Sequence, residues 1–451
     1  MNKKILIAGI TSVLVLFSNL GCSSIIKESK DKQEASQSSE QNVDHYYTSN
    51  GMEVILKKIT TNDTIGVKLF LRGGSRNLNS QNAGIEKLLF NTMFEGGSEK
   101  YPKDKLNLEL AKMGIRLDTG FFYDSSEFSL KCVNKYFDNA FDIFQSLINN
   151  PILDENELQL QKDRMVTGLK KEIDDPDSYV WKVVNQTYLE NHPYKNDFGG
   201  TLETVPNITK KDLVEYKKAN FIASKLVLVV VGNFNDTIKA DIEKSFGKLE
   251  KGNYKIEAVK PVEVDKSAVT VIDRKLPTAY IASRFTIPSP RDKDYPAMYL
   301  ALRILSQNLH ETIRTKHGLS YAVFSGTSLR DANSGYLYVT TVKPNETVQL
   351  MLEEVEKMKK EPVSQEFLKG VINLYYTSYF MGLEENLAQA ETYGIYRIVS
   401  GDYNKGFELL DQFKAVTPED IKNVMNKYVK NMHFGIIYEK DKVQEDLFKK
   451  M

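Results

Sequence analysis

The sequence predicts an α+β fold built from two related domains, each an antiparallel sheet backed by helices. Three observations carry this. Strand-like and helix-like segments alternate from Met52 onward. A capped helix followed by an apolar strand occurs twice, 208 residues apart. A charged, weakly apolar segment, Lys248 to Lys266, separates the two occurrences. The first domain is read as residues 48–250 and the second as 267–451.

The first 22 residues read as an export signal. Asn2-Lys3-Lys4 gives a positive start, and the apolar run Ile5 to Phe17 is too short to span a membrane comfortably. It ends in Asn19-Leu20-Gly21-Cys22, similar to the site at which a lipoprotein cysteine is acylated, although Asn19 stands where such sites prefer Leu. Cys22 is the expected lipidation site. The body of the chain is then expected in the cell envelope, anchored to a membrane and facing the periplasm or exterior. Residues 23–47 are rich in Ser, Gln, Lys and Glu and read as a flexible tether.

Met52–Ile59 and Thr64–Leu71 read as strands joined by the polar turn Thr60-Thr61-Asn62-Asp63. Ile85, Leu88, Leu89 and Met93 recur at helical spacing within Gly84–Phe94, and Pro102 opens another helix. Arg116–Val133 reads as a hairpin. Tyr136–Leu147 and Glu155–Leu169 read as helices, and Asp174-Asp175-Pro176-Asp177 breaks the chain before a further one. Leu226–Val231 is a fully apolar strand. Thr209 and Asp212, like Thr417 and Asp420, form a capping arrangement ahead of a helix, and the offset that relates them also carries Leu226 onto Phe434.

Composition excludes several functions. Lys+Arg and Asp+Glu are both 60, so there is no electrostatic case for nucleic acid. Two cysteines, Cys22 and Cys132, cannot build a disulfide framework. No phosphate-binding glycine loop of the form G-x-x-x-x-G-K-[ST] and no G-x-S-x-G elbow occurs. His310 and His317 read as surface or cleft histidines, and Cys132 as a core thiol.

Arg72-Gly73-Gly74-Ser75-Arg76, followed by Ala83-Gly84-Ile85-Glu86-Lys87-Leu88-Leu89-Phe90-Asn91-Thr92-Met93-Phe94-Glu95-Gly96-Gly97, resembles the opening of pitrilysin/insulinase-type zinc peptidases, the family of mitochondrial processing peptidase. The Asp-Asp-Pro break, His192-Pro193-Tyr194, Gly199-Gly200 and Leu226–Val231-Gly232-Asn233 extend the resemblance over about 400 residues. It implies a processing-peptidase-like fold, in which an inverted H-x-x-E-H motif places two zinc-ligating histidines one turn apart and a glutamate between them activates water. This sequence departs from that pattern. Lys87 and Asn91 hold the histidine positions, Phe90 the general-base position, and Gly168 the position of the third ligand. A cation, an amide, a phenyl ring and a bare backbone supply no zinc site. No cofactor is expected in this chain, and zinc only in an active partner.

The second half is similar to the family segment L-R-E-x-x-G-L-x-Y at Leu309–Tyr321. The resemblance implies that Arg314 and Tyr321 bind substrate across a chamber, the phenol donating to the developing oxyanion. The expected function is that of a non-catalytic partner subunit, which closes the chamber of a homologous H-x-x-E-H-bearing peptidase and binds extended peptides. Two alternatives stand beside it. One is a stand-alone peptide-binding or scaffold lipoprotein. The other is an active metallopeptidase with an unorthodox site drawn from Glu86, Glu172 or the second-half histidines.

Overall fold

The structure, a computed structural model, describes residues 43–450. The export signal, Cys22 and residues 23–42 of the expected tether lie outside them. Among the described residues, no helix is long and apolar enough to cross a membrane.

The first half runs β1 (Val43–Tyr47), β2 (Glu53–Lys58), β3 (Thr64–Arg72), α1 (Ile85–Gly96), α2 (Lys103–Met113), β4 (Arg116–Phe121), β5 (Ser125–Val133), α3 (Phe137–Asn149), α4 (Glu155–Asp174), α5 (Pro176–Tyr188), α6 (Lys210–Asn220), β6 (Leu226–Gly232) and α7 (Ile238–Phe246). The second half runs β7 (Ala268–Asp273), β8 (Ala279–Thr286), α8 (Tyr295–Leu309), β9 (Val323–Ser328), β10 (Ser334–Thr341), α9 (Pro344–Lys360), α10 (Gln365–Gly382), α11 (Asn386–Val399), α12 (Lys405–Lys414), α13 (Pro418–Tyr428) and β11 (His433–Tyr438). The segment between α7 and β7 carries no regular element.

The sheet orders are β1-β2-β6-β3-β5-β4 and β7-β11-β8-β10-β9. Without the edge strand β1, the two are the same arrangement, with the last strand of each half inserted between its first and second. Both late strands follow a helix with a Thr–Asp capping box, Thr209/Asp212 and Thr417/Asp420. The 208-residue repeat is therefore a repeat of topology.

Two expectations need correction. Each sheet is mixed, because β6 runs parallel to β2 and β11 parallel to β7, with the other pairings antiparallel. Residues 43–47 belong to the first sheet and not to the tether. They pair with β2 in antiparallel register, and His45 Nε2 lies 2.8 Å from the carboxylate of Glu53. The two halves also exchange helices, each lending one to the other's sheet. Val180, Val183 and Val184 of α5 pack on Ala282, Tyr338 and Ile437 of the second sheet. Ala390, Tyr393 and Val399 of α11 pack on Phe70, Val227 and Val229 of the first.

This exchange explains why Leu226–Val231 is apolar throughout. Leu226, Leu228 and Val230 face the core beneath α1 and α3, while Val227, Val229 and Val231 face α11. A strand covered on both sides has no polar face. It also requires glycine at two sheet positions. A Cβ on Gly66 would fall 2.5 Å from the Leu387 backbone in α11, and one on Gly435 would fall 2.8 Å from the Val184 nitrogen in α5.

Candidate functional site

The helix expected to carry a metal is α1. It begins at Gly84, whose φ of 91° is left-handed, and Gly84 abuts Gly200 so closely that a Cβ would fall 2.8 Å from the Gly200 Cα. The apolar residues Ile85, Leu88, Leu89 and Met93 are buried, as the periodicity predicted. Lys87 and Asn91, expected at the ligand positions, are partly exposed and lie one turn apart.

Phe90 is fully buried. Its ring stacks on Phe128 at 3.9 Å between centroids and meets Phe121 at 5.5 Å and Phe221 at 5.7 Å. Phe94 stacks on the other end of the group, 4.6 Å from Phe128. The Lys87 ammonium lies 5.9 Å from the centre of the Phe121 ring. Gly168 is exposed on α4, with nothing within 4 Å of where a Cβ would be. An aromatic stack, a cation, an amide and a bare backbone do not fit a zinc ion. Among the described residues, no group of three or more His, Cys, Asp and Glu side chains could hold a metal.

The other acids and histidines have different partners. Glu86 is buried, accepting hydrogen bonds from Ser126 Oγ and, at 2.5 Å, from the Tyr216 hydroxyl. Burial raises the pKa of its carboxyl. Glu172 is paired with Lys182 at 2.8 Å, and Lys182 also reaches Asp197 at 3.1 Å. His192 accepts the Tyr194 N–H at Nδ1 and donates from Nε2 to the Lys260 carbonyl, and burial depresses its pKa. Cys132 is buried, and that burial pushes its thiol up to about 12, as suits a core thiol. His310 and His317 are both exposed, and His317 Nδ1 lies 2.9 Å from the Thr312 carbonyl.

Arg314 and Tyr321 do come together. The chain continues from α8 into a π-helical turn, His310–Lys316, and Gly318 at φ 61° turns it toward β9. The Arg314 guanidinium then covers the Tyr321 ring at 4.1 Å from its centre, with Nη1 3.5 Å from the Tyr321 carbonyl. Tyr321 is 81% exposed, so it is not packed against the start of the strand. An exposed phenol steadied by a guanidinium can meet a ligand without any core rearranging.

The sequence reading missed two buried polar centres. One is Glu86 with Tyr216 and Ser126. The other surrounds Arg284, whose guanidinium lies 4.8 Å from the centre of the Trp181 ring. An arginine inside the largely apolar strand Ala279–Thr286 was the available signal.

Comparison with known proteins identifies the family. The family model described as insulinase, peptidase family M16, matches residues 53–202, and the one described as the peptidase M16 inactive domain matches 207–375. An uncharacterized zinc protease of Rickettsia felis is 22% identical over 386 residues, 84% of this chain and 93% of its own. The human mitochondrial-processing peptidase subunit beta is 24% identical over 389 residues, 82% of this chain and 78% of its own. Among solved structures, the peptidase M16 inactive domain from Pseudomonas fluorescens superposes with a TM-score of 0.81 at 20% identity, covering 88% of this chain and 98% of that one. A chain of Candida albicans complex III2 gives 0.78 at 17% identity, covering 90% and 99%. The chain belongs to the insulinase family of peptidases, M16.

Proposed function

We propose that this chain is a non-catalytic subunit of a zinc peptidase: it closes the chamber of a homologous H-x-x-E-H-bearing subunit and binds extended peptide substrates. The observation that carries the proposal is Phe90, stacked on Phe128 at 3.9 Å in the position of the water-activating glutamate. A phenyl ring cannot accept a proton, so hydrolysis must be completed by another chain. Arg314 and Tyr321 support a role toward substrate, since they form an exposed pair with no packing function. In the assembled chamber, the Arg314 guanidinium would hold a peptide carbonyl, and the Tyr321 hydroxyl would donate to the oxyanion forming on the scissile carbon. A relative named as a subunit, mitochondrial-processing peptidase subunit beta, is consistent with pairing. Zinc would reside in the partner, and Cys22, once lipidated, would hold the assembly at the outer side of a membrane.

The test reconstitutes the full chain with the H-x-x-E-H homologue of the same cell and follows cleavage of an unstructured peptide. Cleavage should rise on adding the wild-type chain and less on adding the Arg314→Ala/Tyr321→Phe form. Unchanged cleavage, or equal stimulation by both forms, would overturn the reading. In the absence of any such homologue, a stand-alone scaffold lipoprotein takes its place.

A further inference from the structure

Helix α10 is apolar on more sides than it buries. From Gly370 to Leu383 the sequence has no charged residue, yet only Leu368 and Val371 of this helix are buried. Leu374 is 60% exposed, Phe380 50% and Met381 66%. A helix without a charged face normally sits inside a protein, and exposed apolar surface of this kind marks sites of interaction.

A trough of about 440 Å³ runs between α10 and α8, with α11 and α12 behind it. Leu374, Tyr375, Ser378 and Gly382 share the face of α10 that lines it, and Arg303 lines it from α8. Small residues keep it open: a Cβ on Gly382 would have nothing within 4 Å. Arg303, Leu374 and Ser378 are themselves exposed, so a ligand can reach the trough from solvent.

Among the described residues, Arg303 is the only charged side chain that lines the trough. No carboxylate among them lies within 4.0 Å of its guanidinium. Nη2 donates to the Tyr299 hydroxyl at 3.0 Å, and the guanidinium lies 5.3 Å from the centre of that ring. Asp411, the acid nearest in effect to Tyr379 of the trough, is paired with Lys414 at 2.8 Å. The lining is therefore apolar and aromatic with one uncompensated cation.

We propose that the trough between α8 and α10 binds an anionic amphiphile, its carboxylate or phosphate head held by Arg303 and its alkyl tail laid along Leu374, Tyr375 and Leu383. The head follows from the unpaired guanidinium, whose fork matches either anion in two parallel hydrogen bonds. The tail follows from the lining, which supplies aliphatic and aromatic carbon and no second cation for a more highly charged ligand. The volume is that of a small-ligand site, and an alkyl chain there would cover apolar surface that water now surrounds. Neither Arg314, Tyr321 nor any residue of α1 lines the trough, so the inference is independent of the peptide-binding reading.

The experiment uses the chain from Ser24 onward, which keeps every described element and can be handled without detergent. A fluorescent alkyl carboxylate is bound first, then displaced by decanoate, decyl phosphate, decanol or decyltrimethylammonium, each below its micelle concentration. The two anions should displace it saturably, and the tighter of them names the head as carboxylate or phosphate. Decanol should be weaker by roughly tenfold, and the cation should not compete. Arg303→Gln should weaken the anions by roughly tenfold and leave decanol unchanged, a split that a folding defect would not produce. Ser378→Trp, at an exposed position, should fill the trough and weaken anions and decanol alike. No saturable displacement, equal affinity for decanol and the anions, or anion affinity unchanged in either variant would overturn the proposal.

Discussion

The Phe90 ring lies face to face on that of Phe128, 3.9 Å between centroids and 11° from parallel. The position at which a water-activating group is expected is part of the core of the first domain. Phe90→Ala should therefore cost about 3–5 kcal/mol through lost burial and a cavity. Phe90→Glu should cost more, since it sets a carboxylate among Phe121, Phe128 and Phe221. Urea denaturation checks both. A Phe90→Glu chain as stable as wild type would mean the position is open and polar.

Arg314 and Tyr321 are predicted to be separable from stability. Both are exposed, and surface changes away from caps and ion-pair networks alter stability by no more than about 0.5 kcal/mol. The melting temperature of Arg314→Ala/Tyr321→Phe should match wild type. A large drop would mean that the pair serves folding.

Glu53 joins the two halves. Its carboxylate accepts from Arg72 of β3 at 2.6 Å and from Arg397 of the exchanged helix α11, with His45 alongside. Burial opposes ionisation, but the Arg397 hydrogen bond and the charges of Arg72 and Arg397 outweigh it and hold the carboxyl below the usual glutamate range. The unfolded chain therefore takes up this proton more readily than the folded one. The contribution is complete above the ordinary glutamate range and is lost as the pH falls through the depressed value. Glu53→Gln should destabilise by about 3–5 kcal/mol at neutral pH, leaving Arg72 buried without its partner. The gap from wild type should close in acid. Denaturation of both chains across the acid range measures it, and a gap independent of pH would contradict the assignment.

The helix exchange predicts how the chain responds to cutting. A protease nick between 248 and 266 should leave the two fragments associated under native conditions, because α5 and α11 stay packed on the opposite sheets. Each fragment expressed alone should aggregate, with one apolar sheet face uncovered. Size-exclusion chromatography of nicked and separate fragments decides this. Two soluble, folded halves would show that the exchange is not needed.

How much of this was legible depended on sequence range. Local signals carried the strands, the helices and both capping boxes, since Thr209 and Asp212 sit three residues apart and settle their own geometry. The 208-residue repeat carried further and pointed to the shared topology. The partner of a strand is not local, and nothing in Leu226–Val231 says that it enters beside β2 in parallel. Periodicity showed that α5 and α11 have apolar faces but not which sheet each covers. Val43–Tyr47 is short and follows a polar run, so only pairing with β2 makes it a strand. The departure of Lys87, Phe90 and Asn91 from the expected motif could be read because that motif lies within one helix. Phe90's neighbours could not, because Phe121, Phe128 and Phe221 come from distant segments. The surroundings of Arg284 were hidden for the same reason, since Trp181, Asn185 and Ser328, which its guanidinium meets, are distant in sequence.

The proposed role requires that this chain does not itself hydrolyse peptides with zinc. The most direct test is metal analysis of the purified chain alongside cleavage of an unstructured peptide, without any partner. No stoichiometric zinc and no cleavage are expected. Stoichiometric zinc with cleavage abolished by a chelator and restored by the metal would contradict it.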